Sequence, residues 1–525
     1  MQPLQREEVW DSIQHPWDII VVGGGITGAG VFRYAAAAGL HVLLLEADDF
    51  AFGTSSRSSK LVHGGLRYLN QKQYDVTFES VRERQKMLRD VPELVEPLCF
   101  LISNYSGAEI STRKYLFGLV LYDLMGSKWN HGRVSREKML SLCPQIRSVG
   151  LKSGLFYYDA VVDDARLVLR LIEEGKRLGG TALNYARVTG LLKNATQDVC
   201  GVVVQRMDGD CSQEVELPAS VVINATGPWT DTLRDMLERE PVIRKQRGSH
   251  LVIDGAKLPL ERAITFNHPA DHRTMFFIPW QGTTIVGTTD LDHPQKYEEQ
   301  ASEPFIDRQE FDYMMQAVHE VFPSAGVDDA DIISTYAGLR PIIRADSSSP
   351  SAQSRKHQVF EENQLLTITG GKLTTFRIMA RAVLERAIPL LQGKRQFHWR
   401  HSMFDRAYTR PAPGFTAPQS LVNRYGVPFQ RWLVQNEERD FTPFCGCSIT
   451  PVEIYYAAGQ ECAVHLDDIL LRRVRLGLVV RDGGSACLPE LKSRLQIIMK
   501  WSEQDWNREV ERYQRIIHES YSIPG

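Results

Sequence analysis

The chain has 525 residues, too many for one compact core and enough for roughly three domains. A formal charge of −3 and a pI near 6.6 exclude a general attraction to nucleic acid or anionic lipid, so any basic attraction must be local. The eight cysteines are irregularly spaced and read as reduced thiols, with a redox pair at Cys445-Gly446-Cys447 as the alternative; no metal-ligand spacing occurs.

Met1–Trp17 carries Glu7, Glu8 and Asp11 and lacks both an apolar signal core and an arginine-rich presequence, which predicts neither export nor organelle import. Asp18–Glu46 then reads as one dinucleotide-binding unit: an apolar strand Ile19–Val22, the turn Gly23-Gly24-Gly25-Ile26-Thr27-Gly28, an alanine-rich helix, and a second apolar strand Val42–Leu45 ending in Glu46. Gly23 permits the tight turn, Gly25 lets backbone approach a pyrophosphate, Gly28 allows close helix packing, and the helix N-terminus faces the phosphates. Glu46 suits a ribose hydroxyl and would repel a ribose 2′-phosphate, which favours FAD or NAD over NADP. Phe32 stands where a small residue is usual, so helix-to-strand spacing is expected to differ there.

Thr54–Leu69 combines hydroxyls, paired glycines and cations without an amphipathic period, which predicts a loop against a ligand. Phe78–Val91 reads as a helix. Tyr115–Gly126, flanked by Arg113, Lys114, Lys128, Trp129 and Arg133, fits either an interfacial anchor over 113–133 or a buried helix of a substrate domain. No stretch reaches the ~20 apolar residues of a membrane span. Asp163–Gly180 has helical spacing and a terminal glycine pair, as a crossover helix requires. Strands are expected at Ala186–Leu192, Gly201–Gln205 and Ser220–Asn224, the last breaking at Ala225-Thr226-Gly227-Pro228-Trp229, a second place for backbone to meet a dinucleotide. Pro92–Tyr158 and Lys245–Asp331, with strand-like runs at Met275–Pro279 and Thr283–Gly287, are expected to form a capping sheet. Gly248-Ser249-His250, Tyr336–Pro341 and Gly370–Arg377 are further chemistry-bearing segments. Beyond about Arg400, Pro411, Pro413 and Pro418 mark a linker, and charged patterns such as His465–Leu476 and Pro489–Tyr521 predict a helical accessory domain. No repeat or low-complexity tract is present.

HGGLRYL at His63–Leu69, VDDARL at Val162–Leu167, NATGPW at Asn224–Trp229, GSH at Gly248–His250, IPW and GTTD within Ile278–Asp290, and GGKLTTFR at Gly370–Arg377 together resemble FAD-dependent glycerol-3-phosphate dehydrogenases. The match runs in order from about Asp18 to Arg377, with the tail similar more loosely. The resemblance implies an α/β chain with a glutathione-reductase-like, two-part FAD-binding (Rossmann-type) domain at 1–91, 159–244 and 332–398, an α+β substrate-capping domain at 92–158 and 245–331, and an all-helical domain at 399–525. It implies oxidation of sn-glycerol 3-phosphate to dihydroxyacetone phosphate, electrons passed to quinone, a cytoplasmic location at the inner face of the cytoplasmic membrane, and allows a homodimer. Cofactor contacts are expected from Gly23, Gly25, Ile26, Thr27, Gly28, Glu46, Thr54, Ser55, Ser59, Lys60, His63, Gly64, Gly65, Leu66, Ala225, Thr226, Gly227, Trp229, Gly338, Gly371, Lys372, Leu373 and Thr374.

A phosphate ester demands fixed cations, for which arginine's planar fork is well suited. Arg67, Arg340, Arg355 and Lys372 are the cations carried over from the resemblance, with Tyr68 and Thr374 beside them; the surroundings of Arg355 depart from the family's more acidic pattern. Hydride transfer from the substrate C2–H to the flavin N5 needs a base for the hydroxyl proton. His250 is the first candidate and His63 the reserve, while Arg340 would stabilise the developing alkoxide. Three other readings stay open: an oxidase using oxygen, an amine or 2-hydroxy-acid oxidising relative, and a non-catalytic nucleotide-binding sensor.

Overall fold

In a computed structural model of the chain, the described residues are 3–66, 73–106, 112–126, 129–209, 214–294, 303–344, 356–391, 393, 397–399, 401–409, 417–436 and 441–525. The linker prolines Pro411 and Pro413, together with Arg67, Tyr68 and Arg355, lie outside them.

Two sheets organise the molecule. The strand Trp17–Val22 is apolar throughout because it is central to a parallel sheet covered on both faces. It pairs in parallel with Glu214–Asn224 on one side (Ile19 opposite Val221) and with Val42–Leu45 on the other (Ile19 opposite Val42). Leu365–Gly370 and Thr181–Leu183 extend the sheet outward, and His357–Glu362 closes one edge antiparallel. Alternation divides the strand between two cores: Ile19 and Val21 lie under the helices Ile26–Ala37, Asp164–Arg177 and Phe376–Ala387, whereas Ile20 and Val22 face an antiparallel meander, Ala186–Lys193 with Val199–Arg206.

Phe32 is fully buried, and glycines of the helix Asp164–Arg177 and of the turn after it make room for its ring. A Cβ on Gly175 would stand 2.3 Å from Phe32 Cε1, and one on Gly180 would stand 2.6 Å from the same ring. The large side chain and the two glycines are one packing unit.

The second sheet runs Leu291–Asp292, Ile243–Asp254, Thr283–Gly287, Thr274–Trp280, Ala263–Asn267, Val95–Tyr105, Leu151–Val162 and Leu61–Val62. Ile332–Ile343 joins it by pairing antiparallel with Ile243–Asp254. The capping sheet therefore takes residues expected in the nucleotide domain: Leu61–Val62, the end of Leu151–Val162 past position 159, and all of Ile332–Ile343. Pairing that is distant in sequence decides this, and local patterning does not encode it.

The tail is helical, but its charged pattern is not a solvated face. Arg472, Arg473 and Arg475 are almost completely buried. A π-helical turn, Asp468–Arg473, closed by the Val474 N–H on the Ile469 carbonyl at 3.0 Å, replaces the expected α-helix. Pro489–Tyr521 divides into Leu488–Met499 and Glu503–Ile516, broken at Lys500, whose φ is 57°. Cys445 is joined to Cys487 in a disulfide, correcting the reading of these two as reduced thiols and of Cys445 and Cys447 as the pair.

Among the described residues no helix is long and apolar enough to cross a membrane. The helix Thr112–Gly126 buries Leu119 and Tyr122, so the buried reading fits one face. Its other face leaves Phe117 72% and Leu124 63% exposed, with Trp129 nearby in sequence at 64%.

The Phe32 contact gives a stability prediction. Alanine normally stabilises a helix interior by about 1 kcal/mol over glycine. Gly175→Ala should instead destabilise by about 1–3 kcal/mol through overpacking, and adding Phe32→Leu should recover most of the loss, as read by denaturant unfolding.

Candidate active site

One cleft of about 530 Å³ runs from the glycine turn to the capping sheet. At its nucleotide end Gly23 takes a left-handed backbone (φ 111°), and a Cβ there would lie 2.6 Å from the Ala225 carbonyl oxygen. Gly28 does not touch the cleft; a Cβ on it would be 1.8 Å from the Gly23 oxygen, so it is the packing contact that seats the helix beneath the turn. At Gly25 a Cβ would meet only Ser55 Oγ, at 3.1 Å, so its absence keeps cleft space open before the helix amides. Ser55 Oγ accepts from the Ile26 N–H at 2.9 Å.

Glu46 lines the same end. Its carboxylate accepts from the Gly24 N–H at 2.6 Å and the Asp48 N–H at 3.0 Å, yet burial first, then the Asp48 carboxylate, pushes its pKa up to about 7. A backbone cradle, helix amides and a carboxylate at the second strand's end are the donor set a flavin dinucleotide requires. The observed groups fit it.

At the other end, His250 and Arg340 stand on the paired strands Ile243–Asp254 and Ile332–Ile343. The His250 ring stacks on Tyr336 with centroids 4.6 Å apart and an interplanar angle of 12°. Its Nε2 lies 2.8 Å from Ser59 Oγ. Burial first, then the cations Arg340 and Lys60, holds its pKa well below the ordinary value of 6.5, so the imidazole is neutral near pH 7. Arg340 donates to Asp290 Oδ1 at 3.0 Å, the Thr289 carbonyl at 3.2 Å and Thr288 Oγ1 at 2.9 Å. Glycines admit both groups: a Cβ on Gly248 would be 2.1 Å from Arg340 Nη2, and one on Gly287 would be 2.3 Å from His250 Cδ2. Glu310 fixes the local frame, accepting from Ser249 Oγ at 2.8 Å and Thr289 Oγ1 at 2.5 Å.

Of the expected contacts, Gly23, Gly25, Ile26, Thr27, Glu46, Thr54, Ser55, Ser59, His63, Gly65, Leu66, Ala225, Thr226, Gly227, Trp229, Gly338, Gly371, Lys372, Leu373 and Thr374 all line this cleft, as do His250 and Arg340. Thr54 Oγ1 donates to the Leu339 carbonyl, Thr374 Oγ1 to the His63 carbonyl at 3.2 Å, and Lys372 Nζ to Ser80 Oγ at 2.7 Å. Lys60 and Gly64 are corrections. The Lys60 ammonium is fully buried on Asp164 at 3.0 Å and does not line the cleft. The Gly64 N–H points at Tyr122 Oη, 2.8 Å away.

The sequence reading missed Arg273, whose guanidinium reaches Asp290 at 3.1 Å. Its setting, Asp271-His272-Arg273, reads as a polar loop. It also missed the aromatic floor of Phe100, Tyr157 and Phe276, with Thr265 beside them; Phe100 stacks on Tyr157 at 5.1 Å. Period-two alternation marks each of these residues, but only the sheet's register places them on one face.

A doubly wound dinucleotide domain capped by an antiparallel sheet, with a neutral histidine and an arginine at the junction, defines a flavin-type oxidoreductase. Residues 18–386 match the family FAD dependent oxidoreductase, and residues 390–506 match the C-terminal domain of alpha-glycerophosphate oxidase. The aerobic glycerol-3-phosphate dehydrogenases of Staphylococcus haemolyticus and Staphylococcus aureus are each 37% identical over 392 residues, covering 73% of this chain and 69% of theirs. Among solved structures, the glycerol-3-phosphate dehydrogenase from Bacillus halodurans complexed with FAD shares the fold with a TM-score of 0.76 at 24% identity, covering 99% of this chain and 98% of that one. The L-alpha-glycerophosphate oxidase from Mycoplasma pneumoniae does so with a TM-score of 0.58 at 18% identity, over 75% of this chain and 99% of that one. The chain belongs to the FAD dependent oxidoreductase family and, within it, to the FAD-dependent glycerol-3-phosphate dehydrogenases. Its cofactor is FAD.

Glu46 yields a pH prediction. Ribose hydroxyls donate to the ionised carboxylate, so binding favours the charged form of a group whose pKa in the apoprotein is about 7. FAD affinity should rise as pH increases through that value, with proton release on binding. Glu46→Gln should remove the dependence and weaken binding roughly 10-fold or more, measured by quenching of flavin fluorescence at pH values on either side.

Proposed function

We propose that this chain oxidises sn-glycerol 3-phosphate to dihydroxyacetone phosphate. The observation that carries the reading is a buried, uncharged histidine beside an arginine, both at the capping-sheet end of the flavin cleft. When bound, FAD supplies the two-electron acceptor for the hydride leaving C2. The neutral His250 imidazole takes the hydroxyl proton. Arg340 stabilises negative charge developing on the substrate's C2 oxygen as its proton leaves, while its bonds to Asp290, the Thr288 hydroxyl and the Thr289 carbonyl fix its direction. Arg273, which shares Asp290 with Arg340, and Lys372, which lines the same cleft, supply cationic charge for the phosphate, with Arg67 and Arg355 as further candidates. The names of the Staphylococcus relatives support this substrate.

Quinone is the proposed acceptor. The exposed Phe117, Leu124 and Trp129 give the chain an apolar face suited to the boundary of the cytoplasmic membrane's inner leaflet. This face supports the reading of a peripheral protein on the cytoplasmic side.

Stopped-flow reduction by glycerol 3-phosphate, compared with amino acids and 2-hydroxy acids, tests the substrate. Preference for an amino acid or a 2-hydroxy acid would end the reading, and peroxide formation matching turnover would assign the oxidase alternative. His250→Ala should slow flavin reduction by roughly 10²-fold or more. Because burial and two cations disfavour the imidazolium, the acid limb of the wild-type rate profile should fall below pH 6.5. Phe117→Ser with Leu124→Ser should reduce binding to phospholipid vesicles without changing flavin content; unchanged binding would remove the proposed face.

A further inference from the structure

The C-terminal domain reaches the back of the cleft through Arg475. Its guanidinium donates to Asp164 Oδ1 and to the Ser56 carbonyl, the latter at 2.9 Å. Arg475 has a left-handed backbone (φ 69°), a conformation costly for a non-glycine residue and kept only where its surroundings over-determine it. Asp164 in turn accepts from three groups of the loop in front of it. The Ser58 N–H and Ser58 Oγ donate at 3.0 and 2.6 Å, and Lys60 Nζ donates to both carboxylate oxygens at 3.0 Å.

Between Ser58 and Lys60 lies Ser59, whose Oγ is 2.8 Å from His250 Nε2. The other side of the same bracket is Tyr336. Its hydroxyl donates to the Ser58 carbonyl at 2.9 Å, one ring face stacks on His250, and Lys60 Nζ is 5.0 Å from its centroid. The groups facing His250 are thus Ser59 and Lys60 from the loop and Tyr336 and Arg340 from the adjoining strand, with Asp164 behind Lys60 and Asp290 behind Arg340. Asp164, Lys60 and Arg475 are all fully buried, so no solvent screens the chain of contacts or substitutes for a lost partner.

We propose that Asp164, clamped by Arg475, is a positioning residue that holds Ser59 against the His250 imidazole, so that the C-terminal domain sets the orientation of the proton acceptor. The inference rests on the reading of His250 given above. The helical domain then has a part in the reaction although none of its described residues lines the cleft.

The test combines a spectroscopic and a kinetic readout on the full-length FAD-loaded enzyme. In nitrogen-15 histidine spectra, signals assigned to His250 by their loss in His250→Gln should show one fixed neutral tautomer from about pH 6 to pH 8. Asp164→Asn should replace this with averaging between tautomers, and Ser59→Ala, a smaller change that keeps the fold, should do the same. Both should slow flavin reduction by roughly 10- to 100-fold with little change in substrate affinity, and neither should slow it further when added to His250→Gln. Arg475→Lys should retain more of the rate than Arg475→Met. An unaltered His250 signal in Ser59→Ala, or losses that add to those of His250→Gln, would overturn the positioning role alone. His250→Gln reducing flavin as fast as wild type would overturn the base assignment and this proposal with it.

Discussion

The loop from Glu46 to His63 supplies one wall of the cleft along its length, and buried charge fixes it from behind. Asp49 accepts from Arg472 Nε at 2.6 Å and from both Arg473 terminal nitrogens at 2.5 and 2.7 Å, with Asn184 Nδ2 at 2.9 Å; Asp164 carries Lys60 and Arg475. Moving such ions out of water is costly, and the cost is offset only when every oxygen and nitrogen is met in good geometry. That makes the arrangement closer to all-or-none than an apolar core, which tolerates small shifts. Phe50, Ala51, Leu61 and Val62 anchor the loop's ends in apolar cores, and the run Thr54–Lys60 between them, which has no apolar side chain, takes its shape from these ions.

The same logic sets the chemistry at the far end of the cleft. Arg340 and Arg273 share Asp290, so three charges sum to a single positive one held in a fixed place. Lys372 adds another cation to the cleft lining. A small doubly charged ester would meet a modest, directed positive field, with His250 kept uncharged by burial first and then by Arg340 and Lys60. Arg340 therefore serves both attraction of the anion and neutrality of the base.

Much of the nucleotide end was legible from residues alone. Gly23, Gly25, Gly28 and Glu46 stand at spacings that the strand–turn–helix geometry dictates, and the apolar run Ile19–Val22 announces a strand covered on both faces. The segments around His250 and Arg340 were also legible, as glycine-flanked polar runs without periodicity. What local pattern could not supply was pairing across long separations. Ile332–Ile343 joined the capping sheet because its partner lies at Ile243–Asp254; Arg273 and Tyr157 reached the cleft only through register; Lys60 pairs with a carboxylate more than a hundred positions later. The tail arginines show the same limit. Their helical charge spacing is that of a solvated surface, and only the buried carboxylates they meet distinguish the two. Phe32 is the reverse case, a departure visible in sequence whose compensation, Gly175 and Gly180, lay on another helix and the turn that follows it.

The central claim is that a flavin held in this cleft takes two electrons from a small phosphorylated polyol at the His250–Arg340 end. Anaerobic titration of the purified yellow protein with sn-glycerol 3-phosphate measures this directly. The account predicts progressive loss of the oxidised flavin absorbance, with dihydroxyacetone phosphate formed in step with the flavin reduced. Absorbance that stays unchanged with glycerol 3-phosphate, while an amino acid or a 2-hydroxy acid bleaches it, would contradict the account.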